Sequence, residues 1–222
     1  MRGPGPDRGP STAFEWIFSA VLLGGIVLVF FVIIFQDFQP VKLFPLFFVI
    51  SWLILLPWHE AGHAVVAYLL GWYVGHVVIG MGRPLRRFRF GSALVELRMF
   101  PIEGFVRCVP KNLHWPRLKS ALIYFAGPGA ELLLLLAMAL LIGPGTLLSY
   151  SDHVGLIACQ ALATAILASV FFNLIPHAVP TANGNMANDG LGILRSFWMP
   201  RSYFAAMIRR MEGEGSRMED RG

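Results

Sequence analysis

Long apolar runs alternate with short polar and basic stretches along this chain, and the runs have the length of membrane-crossing helices. Ile17 to Phe35 contains no charged side chain, enough residues for a helix to cross a hydrocarbon core of about 30 Å. A cleaved leader is the alternative. The run is long for one, and no small-x-small site follows in FQDFQP, so an uncleaved span is expected. Leu43 to Trp58 is again charge-free and continues through HEAGH into AVVAYLLGW. One long helix from near Pro45 to Trp72, kinked at Pro57, is therefore predicted. Ala121 to Ile142 is a third run, containing Gly127, Pro128, Gly129 and the ionisable Glu131. Val154 to Pro176 is a fourth, containing Gln160 and Asn173. Glycine and proline are tolerated in such helices because neighbours satisfy the freed backbone groups.

The segment between the second and third runs has a different period. In Ala93 to Phe100, Leu94, Glu96 and Arg98 fall on one face and Val95, Leu97 and Met99 on the other. This alternation predicts a strand. An exposed edge is expected around Val95 to Phe105. The predicted fold is an all-α polytopic membrane protein with about four transmembrane helices, near 14–35, 43–72, 119–143 and 154–176. A small β segment, about 74–110, is placed at the cytoplasmic membrane surface. Residues 1–12 (MRGPGPDRGPST) read as a disordered tail, 13–199 as one membrane-embedded domain, and 200–222 as an amphipathic tail suited to a membrane interface.

Composition supports lipid as the main solvent: 56% of residues are hydrophobic, 14% are charged and mean hydropathy is +0.62, against about 25% charge in soluble domains. The net charge of +5 raises nucleic acid as a partner, but its distribution points instead to orientation. The segment between runs two and three holds Arg83, Arg86, Arg87, Arg89, Arg98, Arg107, Lys111, Arg117 and Lys119, while GPGTLLSYSDH, between runs three and four, has no Lys or Arg. By the positive-inside rule the basic segment is cytoplasmic. Four spans then place both termini in the cytoplasm. Cys108 lies in a basic loop and Cys159 inside an apolar run, far apart in sequence, which offers no disulfide framework, and neither has the spacing of a cysteine metal site.

Candidate chemistry centres on His59-Glu60-Ala61-Gly62-His63. Residues four apart on a helix share a face, so both imidazoles can reach one ion, with Glu60 beside them. Zn²⁺ suits two imidazoles and a carboxylate with a fourth position open, and a glutamate in this setting can act as general base. The pattern is HExxH of zinc hydrolases. Ionisable groups within a span cost about 2.5–3.5 kcal/mol each on insertion scales, so three together call for a compensating metal. Candidates for a third ligand are Glu131, His177 and Asp189. Spacing alone leaves Asp189 either a helix cap or a ligand. A transporter lining a metal or proton path, or a non-catalytic zinc scaffold, would also place such residues in a membrane.

The chain resembles the site-2 protease family of intramembrane zinc metalloproteases, through four features in order. HEAGHAVVAYLLG is similar to the metal-binding helix, FPIEGFV to the membrane-associated β loop, AGPGAE to the Gly-Pro helix, and NLIP followed by NDG to the final motif. The resemblance implies His59, His63 and Asp189 as zinc ligands and Glu60 as general base. Glu131, Asn173, Gly127, Pro128 and Gly104 become candidates for touching substrate or supporting the ligands. It also implies that the substrate is a single-span membrane protein cut within the bilayer, with lipid as surroundings and no nucleic acid. Two departures stand out. Glu131 occupies a place where the family commonly has Asn, and the polar insert HAVPTANGNMAN lengthens the gap from Pro176 to Asp189. His177, inside that insert, reads as an ordinary interfacial histidine.

Overall fold

The computed structural model describes residues 13–181 and 184–219; the tail expected at 1–12 lies outside them. The helix α1 covers Ala13–Phe35. A short 3-10 turn, Pro40–Leu43, leads into α2, Phe44–Leu69. Two long strands follow, β1 at Trp72–Phe90 and β2 at Ala93–Pro110. Then come α3 at Pro116–Ile142, the short α4 at Pro144–Leu148 and α5 at Val154–Leu174. The chain ends with a hairpin of β3 (Ala178–Thr181) and β4 (Gly184–Ala187), then α6 at Asp189–Trp198 and α7 at Arg201–Glu219. Among the described residues three segments are long and apolar enough to cross a membrane: Pro40–Leu69, Pro116–Ile142 and Val154–Leu174. In α1, the stretch Gly24–Phe35 forms a shorter apolar helix.

Local chemistry sets the ends of these helices. α2 runs unbroken through Pro57 but stops at Leu69, short of the predicted Trp72. Gly71 takes a φ of 75°, which turns the chain, and Lys119 Nζ donates to the Leu70 carbonyl at 2.9 Å. Trp72 is thereby released to start β1, where its ring meets that of Phe204 edge to face at 6.3 Å. Phe204, on α7, is 1% exposed, so this part of the apolar face of α7 is covered by protein. Pro116 at the first position of α3 needs no hydrogen-bonded N–H.

The helices pack closely because small residues line their contacts. α2 lies against α3 and α5, and α6 against α3. A Cβ on Gly62 would stand 2.6 Å from the Ala126 carbonyl oxygen, and one on Gly190 would run into the backbone of Leu174. Two apolar clusters result. One joins Leu55 to Met138, Ala165 and Ile166; the other joins Ala67 to Trp72, Val77, Ile123 and Phe204. On α2 the HEAGH residues lie between them.

The β segment departs from the expected edge. β1 and β2 pair antiparallel, and each bends back on itself. Residues 76–79 lie between two parts of β2, matching 104–107 antiparallel and 94–97 in the same sense. The bend in β1 uses Gly80 at φ 97° and Gly82 at φ 83°, conformations that suit residues without a Cβ. Val95 consequently pairs with both Val77 and Phe88 and is interior. Among the described residues two stretches keep an unpaired side in this register, 86–90 of β1 and the part of β2 from Gly104 onward, and the second is the one beside α2. Glu96 anchors this sheet: it is 3% exposed and accepts from Arg98 Nε at 2.7 Å and Arg87 Nε at 3.0 Å. Burial alone would raise its carboxyl, but the hydrogen bond from Arg98 and the charge of Arg87 hold it below the ordinary value.

The polar insert forms the β3–β4 hairpin, with Ala178 opposite Ala187 and Thr181 opposite Gly184. Its base is closed: Asn188 N donates to the His177 carbonyl at 3.1 Å, and His177 N to Asn188 Oδ1 at 3.0 Å. The longer gap therefore returns Asp189 to the end of α5.

Candidate metal centre

His59 and His63 sit one turn apart on α2, and Asp189 opens α6. The three side chains are 8%, 10% and 12% exposed. His59 Nε2 lies 2.9 Å from Asp189 Oδ2, His63 Nε2 3.3 Å from Asp189 Oδ1, and the two Nε2 atoms 3.0 Å apart. These residues form a cluster able to hold a metal ion. Donors held tetrahedrally at zinc's usual bond lengths stand about 3.3 Å apart, close to all three separations.

The donor chemistry fits a cation. His63 Nδ1 is 2.6 Å from the Ile123 carbonyl oxygen, which only accepts, so the proton resides on Nδ1 and the Nε2 lone pair is free. His59 Nδ1 similarly faces Glu131 Oε1 at 3.1 Å. Two imidazole lone pairs and a carboxylate then converge at contact distance, an arrangement that repels unless a positive ion lies among them. Gly127 on α3 keeps the adjoining space open, since a Cβ there would collide with Nε2 of both histidines.

Glu60 completes the group. It is 4% exposed, and its Oε2 has no hydrogen-bond partner among the described residues. Its other oxygen faces β2, where a Cβ on Gly104 would stand only 2.6 Å from Glu60 Oε1. The sheet thus closes over Glu60 at the one position that has no side chain to obstruct it.

The sequence left Asp189 between cap and ligand, and the structure gives the cap to its neighbour. Asn188 is the cap, accepting from Leu191 N at 3.1 Å. Its amide nitrogen donates to the carbonyls of Ile175 at 2.6 Å and Asn173 at 3.0 Å. Asn188 therefore ties the end of α5 to the start of α6 and leaves Asp189 to face the histidines. His177 is exposed, with Nδ1 2.9 Å from Asn188 Nδ2, and lies outside the donor cluster. Glu131 is 1% exposed and does not join the cluster; it meets His59 on the side away from Asp189. Pro128 is buried within α3. Asn173 reaches Ser169 Oγ at 3.3 Å, so it supports the site through a residue that sequence reasoning missed. Serine four residues earlier on the same helix face was the available signal. Burial pushes the Cys108 thiol up to about 12, which argues against cysteine chemistry at that position.

Apolar helices of membrane length surround a His–His–Asp cluster with a buried glutamate beside it, the arrangement expected of a membrane-associated zinc metallopeptidase. Comparison with known proteins agrees. The family model of Peptidase family M50 matches residues 47–207, and the chain belongs to that family, the site-2 protease family. It is also 45% identical over 49 residues to a protein of Clostridium perfringens (strain 13 / Type A) named "Putative zinc metalloprotease CPE1693". That match covers 22% of this chain and 15% of the relative. Zinc is the cofactor, and the protein is a multi-pass membrane protein.

Proposed function

We propose that this protein hydrolyses peptide bonds of membrane-spanning substrates within the membrane, with His59, His63 and Asp189 holding zinc and Glu60 as general base. The observation that carries this reading is the buried, unpartnered Glu60 Oε2 beside three converging metal donors. Zinc, when bound, supplies Lewis acidity toward a scissile carbonyl and acidifies water. Glu60 takes the proton from that water as it attacks, and returns it to the departing amine. The apolar clusters on either side of the site limit access of bulk water, which strengthens each electrostatic contact inside. The proposed topology has four spans, α1 being the first, with the basic β1–β2 segment and both termini in the cytoplasm.

A peptide bond in an intact helix is shielded, so the substrate must be held extended. The unpaired side of β2 from Gly104 to Val106, next to Glu60, offers backbone groups for strand addition. Phe105→Pro is expected to lower cleavage about tenfold or more by removing an N–H and distorting this edge, with zinc content unchanged. Cleavage at the wild-type rate would reduce β2 to a cover over the site.

The reading as a whole is tested in proteoliposomes that contain the full chain and a panel of single-span membrane proteins. Cleavage inside the span, abolished by a zinc chelator and restored by added zinc, is the expected result. A zinc-loaded protein that cuts only bonds outside the bilayer would refute the intramembrane reading.

A further inference from the structure

We propose that Glu131 is the positioning residue for His59, fixing which nitrogen of that imidazole is offered to the metal. The inference rests on the reading of His59 as a zinc ligand. Its carrier is a chain of hydrogen bonds whose direction is set at the far end. Asn173 Nδ2 can only donate, and it lies 3.3 Å from Ser169 Oγ. Ser169 Oγ accepts there, so its own hydrogen is directed to Glu131 Oε1, 2.8 Å away. The same carboxylate oxygen faces His59 Nδ1 at 3.1 Å. A carboxylate oxygen that receives the serine proton is an acceptor toward His59 as well. The imidazole proton is thereby held on Nδ1, and Nε2 is left as a lone pair aimed at His63 Nε2 and Asp189.

The arrangement mirrors what the backbone does for the second histidine. His63 donates from Nδ1 to the Ile123 carbonyl, a group no substitution removes. His59 has a side chain in that role. A carboxylate also makes the imidazole a better donor than a neutral acceptor does. Glu131 is 1% exposed and comes from α3, while Ser169 and Asn173 come from α5. Three helices are therefore joined at this single imidazole.

The test uses the full chain in detergent with ¹⁵N-labelled histidine, comparing wild type, Glu131→Ala, Glu131→Gln and Ser169→Ala. Two readouts are taken: the histidine tautomers in zinc-free protein by NMR, and zinc affinity by competition with a chelator. In wild type both site histidines should carry the proton on Nδ1. Glu131→Ala should free His59 from that tautomer while His63 retains it, and weaken zinc binding about 10- to 100-fold. Glu131→Gln, which keeps an acceptor oxygen, should preserve the tautomer and recover affinity to within about tenfold of wild type. Ser169→Ala should weaken binding less than Glu131→Ala. Wild-type tautomer and affinity in Glu131→Ala, or no rescue by Gln, would overturn the proposal. If Glu131→Ala does not fold, the Gln and Ser169→Ala variants decide it by the same criteria. A wild type without zinc affinity would refute the metal reading, and the tautomers of the zinc-free protein would still judge Glu131.

Discussion

Glu60→Gln is expected to bind one zinc per chain like the wild type and to lose about 10²- to 10⁴-fold in cleavage rate, the range that a positioned general base supplies. The reasoning is local. Glu60 contributes no atom to the donor cluster, which consists of His59, His63 and Asp189. An amide of the same shape fits the same space against Gly104 but cannot accept a proton. Asp189→Ala should behave in the opposite way. Removing one of three donors while Asn188 still caps α6 leaves the helix in place and the metal without its only carboxylate ligand, so zinc is lost together with activity. Elemental analysis of the purified variants beside a cleavage assay distinguishes the two. Zinc retained in both, or lost in both, would contradict the assigned roles.

The second large effect is expected from the smallest substitution. Gly127→Ala introduces a methyl group where the structure brings α3 against Nε2 of both histidines. The helix cannot easily withdraw, because Gly62 of α2 already touches the Ala126 carbonyl one residue earlier. Overpacking of this kind costs about 1–3 kcal/mol, and here the cost falls on the metal-holding geometry, for about a 10- to 100-fold loss of zinc affinity. Gly129→Ala is the matched control: it lies on the same helix, and its nearest foreign atom is the edge of the Phe125 ring at 3.3 Å. Equal zinc affinity in the two variants would show that the close approach at Gly127 does not constrain the ligands.

Much of this was legible from residue order. The apolar runs marked the helices, because a stretch with no charge over the width of a bilayer has few alternatives. HEAGH marked two histidines that the structure brings together with Asp189, because four-residue spacing on a helix determines a shared face. The harder features depend on contacts across the chain. Period two identified strands in 93–100, but their neighbours are set by the bends at Gly80 and Gly82, and so Val95, which reads as an edge, is interior. The cap of α6 could have been Asn188 or Asp189 by composition, and only the return of the chain to the carbonyls of α5 assigns it to Asn188. Glu131 carried a visible signal as an ionisable residue within a span, but its partner, 72 positions away on α2, could not be inferred from local pattern. The β3–β4 hairpin falls in what reads in the sequence only as a polar insert, although that insert contains an Asn-Gly dipeptide, a recognised turn signal.

That hairpin separates two quantities that a plain loop would couple. Its base is clamped by the paired hydrogen bonds of His177 and Asn188, so the third donor's position is set by the clamp and not by how many residues lie beyond it. Changes of length or chemistry beyond the clamp are therefore expected to leave the candidate metal donors undisturbed. The hairpin is a place where evolution can attach a contact for a new partner, and where an experimenter can attach a reporter, at little cost to the chemistry beneath.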